Sequence, residues 1–241
     1  MVIIEPLLCR YRQRSLRRPA LSFLHYYALE IVVEQKKYEN EKTKNSSTYW
    51  LIFEILWREF FRYVYLKGRK NIFDSYINEF GEINYTINEL VNLYRSHVPN
   101  IHLLPGINEY LLSLSRVYKL GLVTDGYIQT QKNKIKALGL NNIFDQILIT
   151  EELGREFWKP STVPFSKICD KLGVIPMEAI YIADNPKKDF KGPNQLRMDS
   201  IRLRLKDGEH YVSQPKNKDF APVIDIYSVE NLKIELNKYN A

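Results

Sequence analysis

Short apolar runs alternate with helical patterns over the second half of this chain. Tyr118–Thr124 is a continuous apolar stretch that ends at Asp125-Gly126, and Ile128–Leu138 follows as a Lys-rich amphipathic helix stopped by Gly139. Gln146–Thr150 predicts the next strand. Ser161 then caps a helix that runs to Leu172 and closes at Gly173. Ala179–Ala183 predicts a third strand, Asp189–Arg197 a helix and Ser200–Leu205 a fourth strand. Strand–helix alternation of this kind implies right-handed crossovers and a mainly parallel sheet with flanking helices, an α/β architecture. In such sheets ligands gather at the carboxyl ends of the strands.

The first hundred residues follow a different pattern. Trp50, Phe53, Trp57, Phe61 and Val64 recur at helical spacing within an aromatic-rich stretch from Tyr49 to Tyr65, and Asn45-Ser46-Ser47 offers it a cap. Ile87–Arg95 predicts a second helix, broken before Pro99. A boundary falls between Asn71 and Tyr85. The expected organisation is a helical N-terminal segment over 1–75, a partial helical cap or linker over 76–102 and the α/β core over 103–241. Val2-Ile3-Ile4 is a short strand-like run ahead of all this.

Composition narrows the class without naming a function. The 241 residues are 45% hydrophobic and 26% charged, as expected of a folded soluble protein with ample mass for a core. Net charge of +7 permits an anionic or nucleic-acid partner without requiring one, and Arg10, Arg12, Arg14, Arg17 and Arg18 read first as a solvated arm. Cys9 and Cys169 flank no motif, the four histidines lack metal-ligand spacing, and no apolar run reaches the roughly 18 residues of a membrane span. A reduced, cytoplasmic protein with no membrane contact is the expectation.

Candidate chemistry lies in the second half. Asp184-Asn185-Pro186-Lys187-Lys188-Asp189 places two carboxylates five residues apart where a buried strand turns into a helix, a corner suited to Mg²⁺. Thr124 brings a hydroxyl to a strand end, beside the backbone N–H groups of Asp125 and Gly126, where a phosphate oxygen can dock. Lys159 is a cation between Trp158 and Pro160, just ahead of a helix. Singly these are a turn, a surface lysine and a helix cap; in the order hydroxyl, lysine, paired acids they describe a phosphoryl site. The stretch from about Leu90 to Val229 resembles the haloacid dehalogenase-like hydrolase superfamily. Its second motif matches Leu122-Val123-Thr124-Asp125-Gly126, its third Lys159-Pro160-Ser161 and its fourth Ile182–Asp189. The resemblance implies a Rossmann-like core, hydrolysis of the phosphate monoester of a small phosphorylated metabolite, Thr124 and Lys159 on the transferring phosphoryl group, and Mg²⁺ on Asp184 with Asp189 in support. The family's first motif, a strand ending in Asp-x-Asp, has no counterpart, because Asp-x-Asp occurs nowhere in the chain. Val2-Ile3-Ile4 ends at Glu5, whose extra methylene would misplace an attacking oxygen. Either this run fills the central strand position of the sheet or the sheet is left with unpaired backbone. Impaired or absent turnover is therefore expected.

A second resemblance covers about Lys37 to Phe73, including Tyr38-Glu39, Lys70-Asn71-Ile72-Phe73 and the Trp50–Phe61 helix. It is similar to the flavin-binding helical domain of the cryptochrome/DNA photolyase family, particularly the DASH type. That likeness implies Glu54 and Trp57 facing a flipped lesion and Arg58 beside the flavin. Read without it, Glu54 and Arg58 are an i,i+4 ion pair bordering a core. The rest of the flavin pocket is missing, so FAD is not expected to bind. The alternative function is a non-enzymatic flavin- or nucleic-acid-binding fragment, and the chain as a whole reads as a composite of the two families.

Overall fold

The computed structural model describes residues 2–4, 9–11, 87–99, 101–206 and 208–240. Residues 1–11 and 97–241 form one compact unit and residues 12–96 a second. Of the second unit the described part is helix α1 (Ile87–Ser96), at the position the periodicity predicts. Glu5 and the photolyase-like stretch with Glu54, Trp57 and Arg58 lie outside the described residues.

The first unit is built on a six-stranded sheet. Its strands are β1 (Val2–Ile4), β4 (Leu120–Thr124), β5 (Gln146–Ile149), β6 (Ile180–Ala183), β7 (Asp199–Leu203) and β8 (Ile224–Ile226). They run in the order β5-β4-β1-β6-β7-β8, and every pairing is parallel. A separate antiparallel pair joins β2 (Cys9–Tyr11) to β3 (Ile101–Leu103), with Arg10 opposite His102. The N-terminal eleven residues thus contribute strands to the later unit. Residues 2–4 and 9–11 are strands, where a helical segment was expected over 1–75.

Of the two arrangements open to Val2-Ile3-Ile4, the structure has the filled slot. Val2 pairs with Leu120 on one side and Ile180 on the other, and Ile4 with Leu122 and Ile182. Strand side chains alternate between faces, so Val2, Leu120, Leu122, Ile180 and Ile182 share one core cluster. That cluster is covered by α2 (Ile107–Leu114), α3 (Ile128–Ala137) and α6 (Val229–Asn237), through residues such as Leu111, Ile135 and Leu232. Val123, Tyr181 and Ala183 face the other way, onto Phe165, Ile168 and Leu172 of α4 (Val163–Leu172) and onto Phe190. Phe165 meets Tyr181 edge-on at 4.9 Å. Burial on both faces explains why these strands read as unbroken apolar runs.

Close packing selects Gly121: a Cβ there would stand 3.0 Å from Ile168 Cδ1 and Leu172 Cδ1. The helix stops fall where expected, with Gly139 and Gly173 in the left-handed conformation at φ +68 and +65. The Ser161 hydroxyl accepts from Val163 N–H at 3.3 Å. The helix expected over Asp189–Arg197 shortens to α5 (Lys191–Gln195).

Candidate active site

The strand order turns at β1, with β4 and β5 on one side and β6 to β8 on the other. The carboxyl ends of the strands flanking such a switch point frame a ligand crevice. Thr124 ends β4, Asp184 follows β6, and Lys159 lies in the connection from β5 to α4.

Thr124 is 3% exposed, and its hydroxyl donates to Gln131 Oε1 at 3.1 Å. Gln131 Nε2 in turn donates to the Asp125 carbonyl at 3.0 Å, which fixes the orientation of the amide. Gly126 makes room for that side chain. Its φ is +135, and a Cβ would sit 2.5 Å from Gln131 Nε2. The buried polar side chain of Gln131 on α3 is thus satisfied by the turn after β4, and it holds the Thr124 hydroxyl.

The Asp125 side chain is a hub. Oδ1 accepts from the Thr150 hydroxyl at 2.9 Å and from Lys159 N–H at 3.3 Å, and Oδ2 from Lys188 Nζ at 3.0 Å. Three connections at the rim, those after β4, β5 and β6, are tied through one carboxylate. Burial alone would raise its pKa. The ammonium groups of Lys159 and Lys188, with the hydrogen bonds from Lys188 and Thr150, outweigh burial and hold it below the ordinary carboxylate value.

Lys159 and Asp189 form a dry ion pair: Nζ lies 2.9 Å from Oδ1, and both side chains are fully buried. The alignment is that of an ion pair rather than of a hydrogen bond, since Oδ1 has no hydrogen-bond donor in good geometry. Lys159 Nζ donates to the Tyr181 hydroxyl at 3.2 Å, and Asp189 Oδ2 accepts from Asn185 N–H at 3.0 Å. The Lys159–Pro160 peptide is cis. Asp184 is partly exposed, and its carbonyl accepts from the Nε of Arg202, a guanidinium buried behind the rim.

These contacts bring Thr124, Asp125, Gly126, Lys159, Asp184 and Asp189 to one rim. They also reveal Gln131, Thr150, Tyr181 and Lys188, to which no role had been given. The available signal was a polar Gln131 on the buried face of α3, next to a glycine at a strand end.

The acids at the rim are Asp125, Asp184 and Asp189, against two ammonium groups, Lys159 and Lys188. Asp189 turns its oxygens to Lys159 and Asn185 N–H, and Asp184 stands at the more exposed edge. Mg²⁺ commonly takes one or two carboxylates, with phosphate and water completing its shell. No cluster of three or more His, Cys, Asp or Glu suited to a metal occurs among the described residues. Of the acids named here Asp184 stands at the exposed edge, so Mg²⁺ held there would draw its remaining ligands from water and phosphate.

A family profile described as haloacid dehalogenase-like hydrolase matches residues 28–203. The chain belongs to the haloacid dehalogenase-like hydrolase family. Glyceraldehyde 3-phosphate phosphatase of Methanopyrus kandleri is 35% identical over 123 residues, 51% of each chain. N-acylneuraminate-9-phosphatase of Mus musculus is 35% identical over 86 residues, 36% of this chain and 34% of the other. Family membership thus accompanies a chain that spans about half the length of the first of these curated relatives. Among solved structures, the HAD-hydrolase YfnB of Bacillus subtilis, bound to magnesium, covers 98% of this chain and 97% of its own at TM-score 0.57 and 21% identity. That likeness shows the α/β fold. A 37-residue segment is 62% identical to Cryptochrome DASH of Xenopus laevis, 15% of this chain and 7% of that one. No described helix is long and apolar enough to cross a membrane.

Proposed function

We propose that this family member is a phosphate-monoester phosphohydrolase site whose turnover is impaired or lost. One observation supports the reading: Thr124 ends β4, Asp184 follows β6, and Lys159, in the connection after β5, is locked by the buried Asp189. Thr124 exchanges its hydrogen bond to Gln131 for one to a phosphoryl oxygen, and Lys159 supplies fixed positive charge beside it. Asp184 would hold Mg²⁺, while Asp189 acts by orienting Lys159. Bound Mg²⁺ would neutralise charge on the phosphoryl group, and positioning with charge neutralisation supplies most of the catalysis in such transfers. Both phosphatase relatives named above act on small phosphorylated compounds, which supports a metabolite of that class as ligand. A cytoplasmic location agrees with this substrate class.

The chain lacks Asp-x-Asp, so no aspartate pair is available to attack phosphorus and manage the leaving-group proton. Magnesium and phosphate are thus expected to bind without rapid turnover. Calorimetric titration with inorganic phosphate in MgCl₂, beside an assay with p-nitrophenyl phosphate, tests both halves. Absence of phosphate binding removes the site assignment. Brisk hydrolysis that vanishes in Asp184→Asn keeps the site and overturns the claim of impairment.

The Cryptochrome DASH segment favours a second reading, a flavin- or nucleic-acid-binding fragment that includes Glu54, Trp57 and Arg58. A purified chain without flavin absorbance and without salt-dependent DNA binding would dispose of it.

A further inference from the structure

The two ammonium groups at the rim are held very differently. Lys159 is walled in, with a fully buried side chain against Asp189 and Tyr181. Lys188 lies in the connection after β6, is about one-third exposed at 34%, and reaches across the end of β1 to Asp125 Oδ2. Asp125 directly follows Thr124, so the second ammonium is brought next to the residue whose hydroxyl marks the phosphoryl subsite. The carboxylate does not depend on Lys188 for its placement, because Oδ1 is already held by Thr150 and Lys159 N–H. A lysine on a flexible four-carbon stem can leave Oδ2 without disturbing that anchor.

We propose that Lys188 is a second cation of the phosphoryl subsite, parked on Asp125 and turning to a phosphoryl oxygen when an anion enters. Resting on the phosphate reading above, the inference adds a residue to which that reading gives no role. Lys188 exchanges one anionic acceptor for another, and Asp125 sets the threshold by competing with the ligand. Asp125→Asn keeps an oxygen for Thr150 and Lys159 N–H but removes the charge that competes, so it separates this role from a purely structural bridge.

The test uses the full chain and inorganic phosphate in saturating MgCl₂, with thermal melting recorded for each variant. Lys188→Gln is expected to bind phosphate about tenfold more weakly, the scale of one charge-assisted hydrogen bond. Lys188→Arg, which retains the charge, is expected to keep most of the affinity. Asp125→Asn is expected to bind more tightly, and Asp125→Asn/Lys188→Gln to lose that gain. Wild-type affinity in Lys188→Gln, or weaker binding in a folded Asp125→Asn, overturns the role of Lys188 while leaving the subsite intact. Failure of the unmodified chain to bind phosphate overturns both the subsite and this inference.

Discussion

At the residue scale the site is a set of charges that only make sense in pairs. Lys159 and Asp189 are both fully buried, 2.9 Å apart. Removing one partner from such a pair typically costs about 3–5 kcal/mol, because the survivor is left charged and dry. Lys159→Met should therefore lower stability by about that much in urea unfolding, and Lys159→Met/Asp189→Leu should recover most of the loss. A single substitution that costs nothing would show the pair to be incidental. Asp125 makes a pH prediction. Its pKa is lowered in the folded protein, where Lys159 and Lys188 outweigh burial, so its contribution is present above the unfolded value of about 3.9 and is lost as pH falls through the folded value. Melting temperatures measured downward from about pH 5 should fall less steeply in Asp125→Asn than in the unmodified chain. Equal slopes would mean that the carboxylate gains nothing from its neighbours.

At the scale of elements, the turn from β4 into α3 links backbone conformation to the reacting end of the sheet. Gly126 at φ +135 accommodates Gln131, and Gln131 receives the Thr124 hydroxyl. Gly126→Ala should cost about 1–3 kcal/mol through backbone strain. It should also weaken phosphate binding, because Gln131 must move; an unchanged phosphate affinity in the folded variant would separate the turn from the site. The same region shows what the sequence could and could not reveal. β4 and β6 were legible because strands buried on both faces are continuous apolar runs, and Gly139 and Gly173 marked helix ends. β3 and β8, three residues each, carry too little periodicity to stand out. Thr124, Lys159 and Asp184 were legible through motif order. Tyr181 was not, because its hydroxyl lies inside an apolar run and gains meaning only when Lys159 packs against it. Thr150 and Lys188 likewise meet Asp125 from 25 and 63 residues away, an approach no local pattern encodes.

At the scale of the whole molecule, the decisive element is among the shortest. β1 holds three residues, yet it lies between β4 and β6 and bonds to both, so the ends carrying Thr124 and Asp184 are set apart by its width. Val2 is fully buried in the core cluster, and its N–H donates to the Lys119 carbonyl at 3.1 Å. Without β1, two parallel strands in the middle of the sheet expose unpaired N–H and C=O groups, which are costly to bury and prone to pair with other chains. A fragment of residues 97–241 should therefore aggregate or melt far below the full chain, although it contains every motif of the phosphoryl site. A synthetic peptide of residues 1–11 added during refolding should restore soluble, cooperatively melting material, and Val2→Asp in that peptide should abolish the rescue. Circular dichroism melts and size-exclusion profiles of the three mixtures decide the matter. If the fragment alone melts at the temperature of the full chain, β1 contributes no stability, and the spacing between Thr124 and Asp184 must be set by something other than a strand between them.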